Sequence, residues 1–367
     1  MIALYSCLLP RSCVQKSFNN LQAFPTRNLK TPGSEKSQRA ILFPGQGAQY
    51  VGMGKDLYLS YPSARRVFEE ADETLGMNLS KLIFDGQQKD LMMTQNAQPA
   101  ILATSIATFK VLESEYGFDI ASWCAYALGH SLGEYSALVV TKSLSLHDAF
   151  RLVRRRGEAM ADAVSQLGVK TAMSALIVRE ENLPKLRGAI NEVCSTLPEG
   201  EFVELANLNS KSFQAVISGT SFGVDQASRV LQSKRLAARA VDLPVSAPFH
   251  CKLMQPAAEN MQAALKGVKF EKPIVDVISN VNASPISSVD DIPSLLVRQV
   301  THTVQWQRSI KYCRERGVNS FILFGPARVL ANLLKKDFPL DYIRPFTTVK
   351  DILNYSDDLK IIHSNAS

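Results

Sequence analysis

A serine set between glycines is the first feature of this chain that could do covalent chemistry. Gly129-x-Ser131-x-Gly133 follows the apolar run Trp123-Cys124-Ala125-Tyr126-Ala127-Leu128 and leads into a helical pattern. In that setting the glycines permit a strained strand-to-helix turn that lifts the serine hydroxyl onto a helix N-terminus. An ordinary glycine-rich turn uses the same residues, so a nucleophile has to be argued from its partners. Serine attacks only when a base takes its proton, and the chain has five histidines. His130 adjoins Ser131 and is badly placed to reach back to its hydroxyl. His147 falls in a helix N-terminal turn, His302 precedes a Trp-containing amphipathic segment, and His363 lies in the polar end of the chain. That leaves His250, at the end of the proline-pinned loop Leu243-Pro244-Val245-Ser246-Ala247-Pro248-Phe249-His250; the alternative is a packed loop histidine.

A hydrolase and an acyltransferase share such a pair, and the arginines separate them. On a wheel of residues 146–163 at about 100° per residue, Arg156 falls inside the apolar arc of Ala149, Phe150, Leu152, Val153, Met160 and Ala163. Arg151, Arg154 and Arg155 fall outside it. A guanidinium cannot be neutralised and costs several kcal/mol to bury unpaired, and no acid shares its side of the helix. Its natural partner is a carboxylate carried by a ligand, the alternatives being snorkelling or an acid from elsewhere in the fold.

The elements that must hold these residues alternate between strand and helix. Ala40–Phe43 reads as a strand, Asp56–Leu75 and Thr94–Glu115 as helices, Trp123–Leu128 as a buried strand, and Ser145–Ala163 as a helix with Ser145 and Asp148 as a capping box. From Thr171 to Leu243 the order becomes strand, helix, strand, strand, helix, strand, which is the ferredoxin-like unit. Strands near Val275–Ser279 and Ser320–Phe324 resume the first pattern. The expected fold is α/β: a mostly parallel sheet domain (40–168 and 244–345) with an inserted ferredoxin-like βαββαβ subdomain (169–243), then a tail (346–367).

Several segments together resemble the malonyl-CoA:acyl-carrier-protein transacylases. They are Phe43-Pro44-Gly45-Gln46-Gly47-Ala48-Gln49, Gly129-His130-Ser131-Leu132-Gly133-Glu134, Arg156-Gly157 with Met160, the Pro244–His250 loop, and Val297-Arg298-Gln299 before Val304-Gln305-Trp306. They keep the family's order over about residues 40–335, and the resemblance implies a hydrolase-like α/β domain with an inserted ferredoxin-like one, in agreement with the strand order above. The resemblance implies Ser131 as nucleophile, His250 as base and Arg156 as the site of the free malonyl carboxylate. It also implies an oxyanion hole from the backbone N–H groups of Gln46 and Leu132, and Gln299 orienting His250 through its main-chain carbonyl in place of a triad acid. Substrates would be malonyl-CoA and a phosphopantetheinyl acyl carrier protein, with no cofactor and no metal. Gly325-Pro326-Ala327 and Thr301-His302-Thr303 depart from the family's usual segments at positions outside the proposed chemistry.

Composition excludes other classes. The 367 residues are 46% hydrophobic and 20% charged, enough to bury a sizeable core, and no apolar run approaches the roughly 18–20 residues of a membrane span. The formal charge of +7 is concentrated at the start, where residues 1–39 hold six cations against one anion, Glu35. The other 328 residues hold 35 cations and 33 anions, too even a balance for a nucleic-acid footprint. A leader rich in Arg, Lys and Ser and poor in acid is expected of a transit peptide (1–39), mitochondrial before plastid, against a secretory signal or a cytosolic tail. Six scattered cysteines without a CxxC pair read as reduced thiols.

Overall fold

The computed structural model describes residues 38–211, 214–245 and 247–360; the leader, apart from Gln38 and Arg39, lies outside them. Five parallel strands form the main sheet in the order β7 (Asp276–Ile278), β2 (Tyr126–Gly129), β1 (Arg39–Phe43), β8 (Ser320–Phe324), β9 (Tyr342–Phe346). Helices cover both faces, so β1 and β8 are apolar almost throughout and need no alternation. Phe43 and Phe346 stack on either side of Phe324, with Phe109 edge-on to it from the buried helix Thr94–Tyr116. That aromatic group ties three strands to the helix.

The second sheet is antiparallel, in the order β4 (Val203–Leu208), β5 (Ala215–Thr220), β3 (Thr171–Ile177), β6 (Arg239–Asp242). With helices Leu183–Ser195 and Ser221–Ser233 it forms the expected ferredoxin-like unit around its own core of Leu176, Ile190, Val203, Ile217 and Leu231. Val304 fastens it to the larger part by main-chain bonds to Ala206 and Leu208.

Three elements differ from expectation, each for a local reason. The helix expected over Asp56–Leu75 breaks at Tyr61 (φ −129°, ψ 121°), which Pro62 forces into extended backbone before a new helix begins. The strand expected from Trp123 starts only at Tyr126, because the Asp119 carboxylate accepts from Ala121 and Ser122 N–H and winds Ile120–Trp123 into a helical turn. The segment read as a tail from 346 is folded as far as it is described. Phe346 ends β9 and is buried, and helix Val349–Lys360 follows with Ile352 in the core. Pro345 masks β9 in the sequence and is tolerated because β9 is an edge strand.

The order of strand addition reverses about β1. From β1 the chain adds β2 and later β7 on one side, then β8 and β9 on the other. Phe43 pairs with Gly129 at the carboxyl ends of β1 and β2, so the Pro44–Gln46 turn and Ser131 emerge side by side where open α/β sheets bind ligands.

Candidate active site

Ser131 sits at the tip of the turn between β2 and helix Gly133–Val140 with φ +52°, in the left-handed region that side chains rarely adopt. The glycines are sterically required. A Cβ on Gly129 would lie 1.8 Å from the Gly133 carbonyl carbon, and one on Gly133 would lie 2.5 Å from the Phe43 carbonyl oxygen. Asn280, just after β7, holds the turn from outside: its Nδ2 donates to the Gly129 carbonyl at 2.6 Å and its Oδ1 accepts from Ser131 N–H at 2.7 Å.

The proline loop brings His250, also at positive φ (+59°), to within 2.8 Å of Ser131 Oγ through Nε2. Its Nδ1 is 2.8 Å from the Gln299 main-chain carbonyl. A carbonyl only accepts, so the proton sits on Nδ1 and leaves Nε2 bare toward the serine. Burial, reinforced by the Arg156 charge, pushes this imidazole down to about 3 and keeps it neutral.

Arg156, 2% exposed, projects from helix Leu146–Leu167 into the same space. Nη1 donates to Gln98 Oε1 at 2.7 Å, and Nη2 donates to Gln299 Oε1 at 2.9 Å and to Ser131 Oγ at 3.1 Å. Nε has no partner, and among the described residues no carboxylate pairs with this guanidinium. Snorkelling fails because the head group is buried, and among the described residues no acid forms a direct ion pair with it.

Leu132 follows Ser131 at the start of its helix, and Gln46 lies in the turn that leaves β1, whose Phe43 pairs with Gly129. Neither main-chain N–H donates to another described residue, and the Gln46 side chain is held by Thr94 Oγ1 at 2.8 Å, which also accepts from Gln98 Nε2. The other histidines are engaged elsewhere: His147 with Thr74, His302 with Thr301, and His130 with Asn209 Oδ1 at 2.8 Å against the Trp306 ring. His363 lies outside the described residues. A cleft of about 390 Å³, lined by Gln46, His130, Asn209, Gln214, Leu243 and Leu330, opens between the two parts of the molecule beside the serine turn.

Three comparisons with known proteins meet this geometry. The acyl transferase domain pattern matches residues 41–341. The chain belongs to the acyl transferase family. It is 45% identical over 302 residues to the malonyl CoA-acyl carrier protein transacylase of Bacillus subtilis, covering 82% of this chain and 90% of that one. It is 38% identical to the Escherichia coli K12 protein of the same name, covering 82% and 93%. Among solved structures, the acyl-carrier-protein S-malonyltransferase of Bartonella henselae superposes with a TM-score of 0.80 at 41% identity, over 88% of this chain and 99% of that one. A malonyl-transacylase in complex with a type II PKS acyl-carrier protein gives 0.80 at 34% identity, over 88% and 99%.

The sequence alone assigns no role to three polar residues of this acyl transferase. Gln98 is the one amide in a wholly buried stretch of its helix, four residues after Thr94; Glu134 is the one acid in the buried run that follows the elbow. Those contradictions between residue type and surroundings were signals in the sequence. Asn280 carried none. Among the described residues, no group of three or more His, Cys, Asp or Glu could hold a metal ion, and no helix is long and apolar enough to cross a membrane.

Proposed function

We propose that this acyl transferase moves a malonyl group from malonyl-CoA to the phosphopantetheine thiol of an acyl carrier protein, supplying fatty acid synthesis, through a malonyl-Ser131 intermediate. The observation that carries the reading is the Arg156 guanidinium: buried, without a carboxylate partner, and 3.1 Å from the Ser131 hydroxyl. A substrate whose carboxylate meets that cation places its thioester carbon on the serine.

His250 Nε2 takes the Ser131 proton as Oγ attacks the thioester carbon. The N–H groups of Gln46 and Leu132, free of other acceptors, receive the developing oxyanion. As the C–S bond breaks, His250 returns the proton to the CoA sulfur. The carrier's thiol then enters the same cleft and the steps run in reverse order, giving ping-pong kinetics. A thioesterase reading is disfavoured because His250 Nδ1 rests on a carbonyl and, among the described residues, no triad acid reaches it; Asp242 belongs to exposed strand β6.

The test is intact mass after incubation with malonyl-CoA: a malonyl adduct on the wild type, none on Ser131→Ala, and its transfer to an added holo carrier protein. Rapid hydrolysis without carrier would instead identify a thioesterase, and a folded protein that forms no adduct would be a non-enzymatic scaffold. We also propose mitochondrial import, supported by the cationic, acid-poor residues 1–39. Retention of Met1 in the native protein would refute it.

A further inference from the structure

One buried ionisable side chain beside this machinery has no part in the steps above. Glu134, in the first turn of helix Gly133–Val140, is fully buried. Its Oε2 accepts from Gln299 Nε2 at 2.7 Å and from Asn280 N–H at 3.3 Å, while Oε1 has no partner. The same Gln299 amide donates to the Ser131 carbonyl at 2.9 Å and accepts from Arg156 Nη2 at 2.9 Å. A carboxylate only accepts, so Glu134 dictates that the Nε2 end of Gln299 faces it and the Oε1 end faces Arg156. A single amide thus separates a buried acid from a buried cation.

We propose that Glu134 is the counter-charge of Arg156 in the unacylated site and takes up one proton from solvent when the substrate's carboxylate arrives on that guanidinium. The inference rests on the malonyl reading and adds to it. In the empty site one negative charge balances one positive. A malonyl group brings a second negative charge into the same dry cluster, and two anions there cannot share one cation without cost. The malonyl carboxylate sits directly on Arg156 and keeps its charge. Glu134 is one amide further away and gives up its own. Burial already raises this carboxyl to about 7, against the lowering influence of Gln299, Asn280 and Arg156.

The other titratable groups around it do not compete for that proton. Tyr135, next to it on the same helix, is raised to about 12 by burial, and His250 is held near 3 on the far side of Gln299. His130, on the turn before the helix, is lowered by its own burial. In acylation the Ser131 O–H and substrate C–S bonds break and the ester C–O and thiol S–H bonds form, so the serine proton ends on CoA. The proton on Glu134 is additional. Glu134 touches no reacting atom and is a positioning residue.

The test mixes wild-type protein with malonyl-CoA and a pH indicator in weak buffer, counts acyl-serine by intact mass, and subtracts the thiol ionisation measured on free CoA. At about pH 8, where free Glu134 is mostly ionised, uptake should be about half to one proton per acyl-serine, and it should shrink toward zero by about pH 5.5, where Glu134 is already protonated. Glu134→Gln, which keeps an acceptor oxygen and loses the charge, should show no uptake per acyl-serine formed; if that variant does not fold or acylate, the wild-type pH series decides. Acyl-serine without uptake in the wild type, or uptake that persists in Glu134→Gln, overturns the proposal. Absence of acyl-serine in the wild type overturns the transfer reading beneath it, a separate result.

Discussion

Ser131 and Arg156 lie 25 residues apart in sequence, yet a guanidinium N–H donates to the serine hydroxyl at 3.1 Å. Because that cation has no carboxylate partner among the described residues, Arg156→Ala should lose malonyl acylation by the ~1.5–3 kcal/mol of a charged hydrogen bond, roughly tenfold to more than a hundredfold in rate. Acetyl-CoA brings no carboxylate, so its acylation rate should fall little or rise. Single-turnover mass measurements with both substrates check this; an equal fall, or loss of folding, would make the arginine structural.

Gln299 separates main-chain from side-chain duties. Gln299→Ala removes the links to Arg156, Glu134 and the Ser131 carbonyl but leaves its own carbonyl on His250 Nδ1. Acylation should fall about tenfold, for the loss of one charge-assisted bond. His250→Ala deletes the base and should cost about 10²-fold or more. Equal losses in the two variants would show that the Gln299 side chain, too, is needed to place the imidazole.

The elbow tolerates no side chain at its first glycine. Since a Cβ on Gly129 would fall 1.8 Å from the backbone of Gly133, Gly129→Ala must displace the turn and should cost at least the ~1–3 kcal/mol of an overpacked core. Thermal melts should show the lowered stability together with loss of the acyl adduct. A variant of wild-type stability would mean that the turn can relax.

His250 makes stability sensitive to acid. In the unfolded chain it binds a proton below about 6.5, whereas in the fold burial and Arg156 delay this to about 3. The unfolded state therefore binds more protons between those values, and stability falls as pH drops through that window, by about 2 kcal/mol at pH 5. Melting wild type and His250→Gln at pH 7 and pH 5 should show the variant gaining relative stability at the lower pH. A constant difference between the two would place the titrating group elsewhere.

The sequence by itself determined what short-range sterics and periodicity control. The first glycine of Gly129-x-Ser131-x-Gly133 follows from the turn itself, because its clash is with the turn's own backbone at Gly133, whereas Gly133 is demanded by the distant end of β1 at Phe43. The 3.6-residue repeat put Arg156 on the buried face of its helix, and the order of strands and helices marked out both sheets. Where local chemistry was overlooked, as with Asp119 capping the turn before β2 or Pro62 breaking a helix, the expected elements shifted by a few residues.

Only the tertiary structure decided who meets Arg156 and Ser131. Gln299 reaches the guanidinium across 143 residues, Asn280 holds the serine N–H across 149, and His250 meets the hydroxyl across 119. Residue type shows that a buried guanidinium needs acceptors but does not say which ones. The choice of two glutamines, with the acid Glu134 set one amide away, follows from where the β1–β2 crevice brings the helices together. Packing there leaves the cation hydrogen-bonded yet without a direct ion pair, the condition that allows a substrate's carboxylate to bind it.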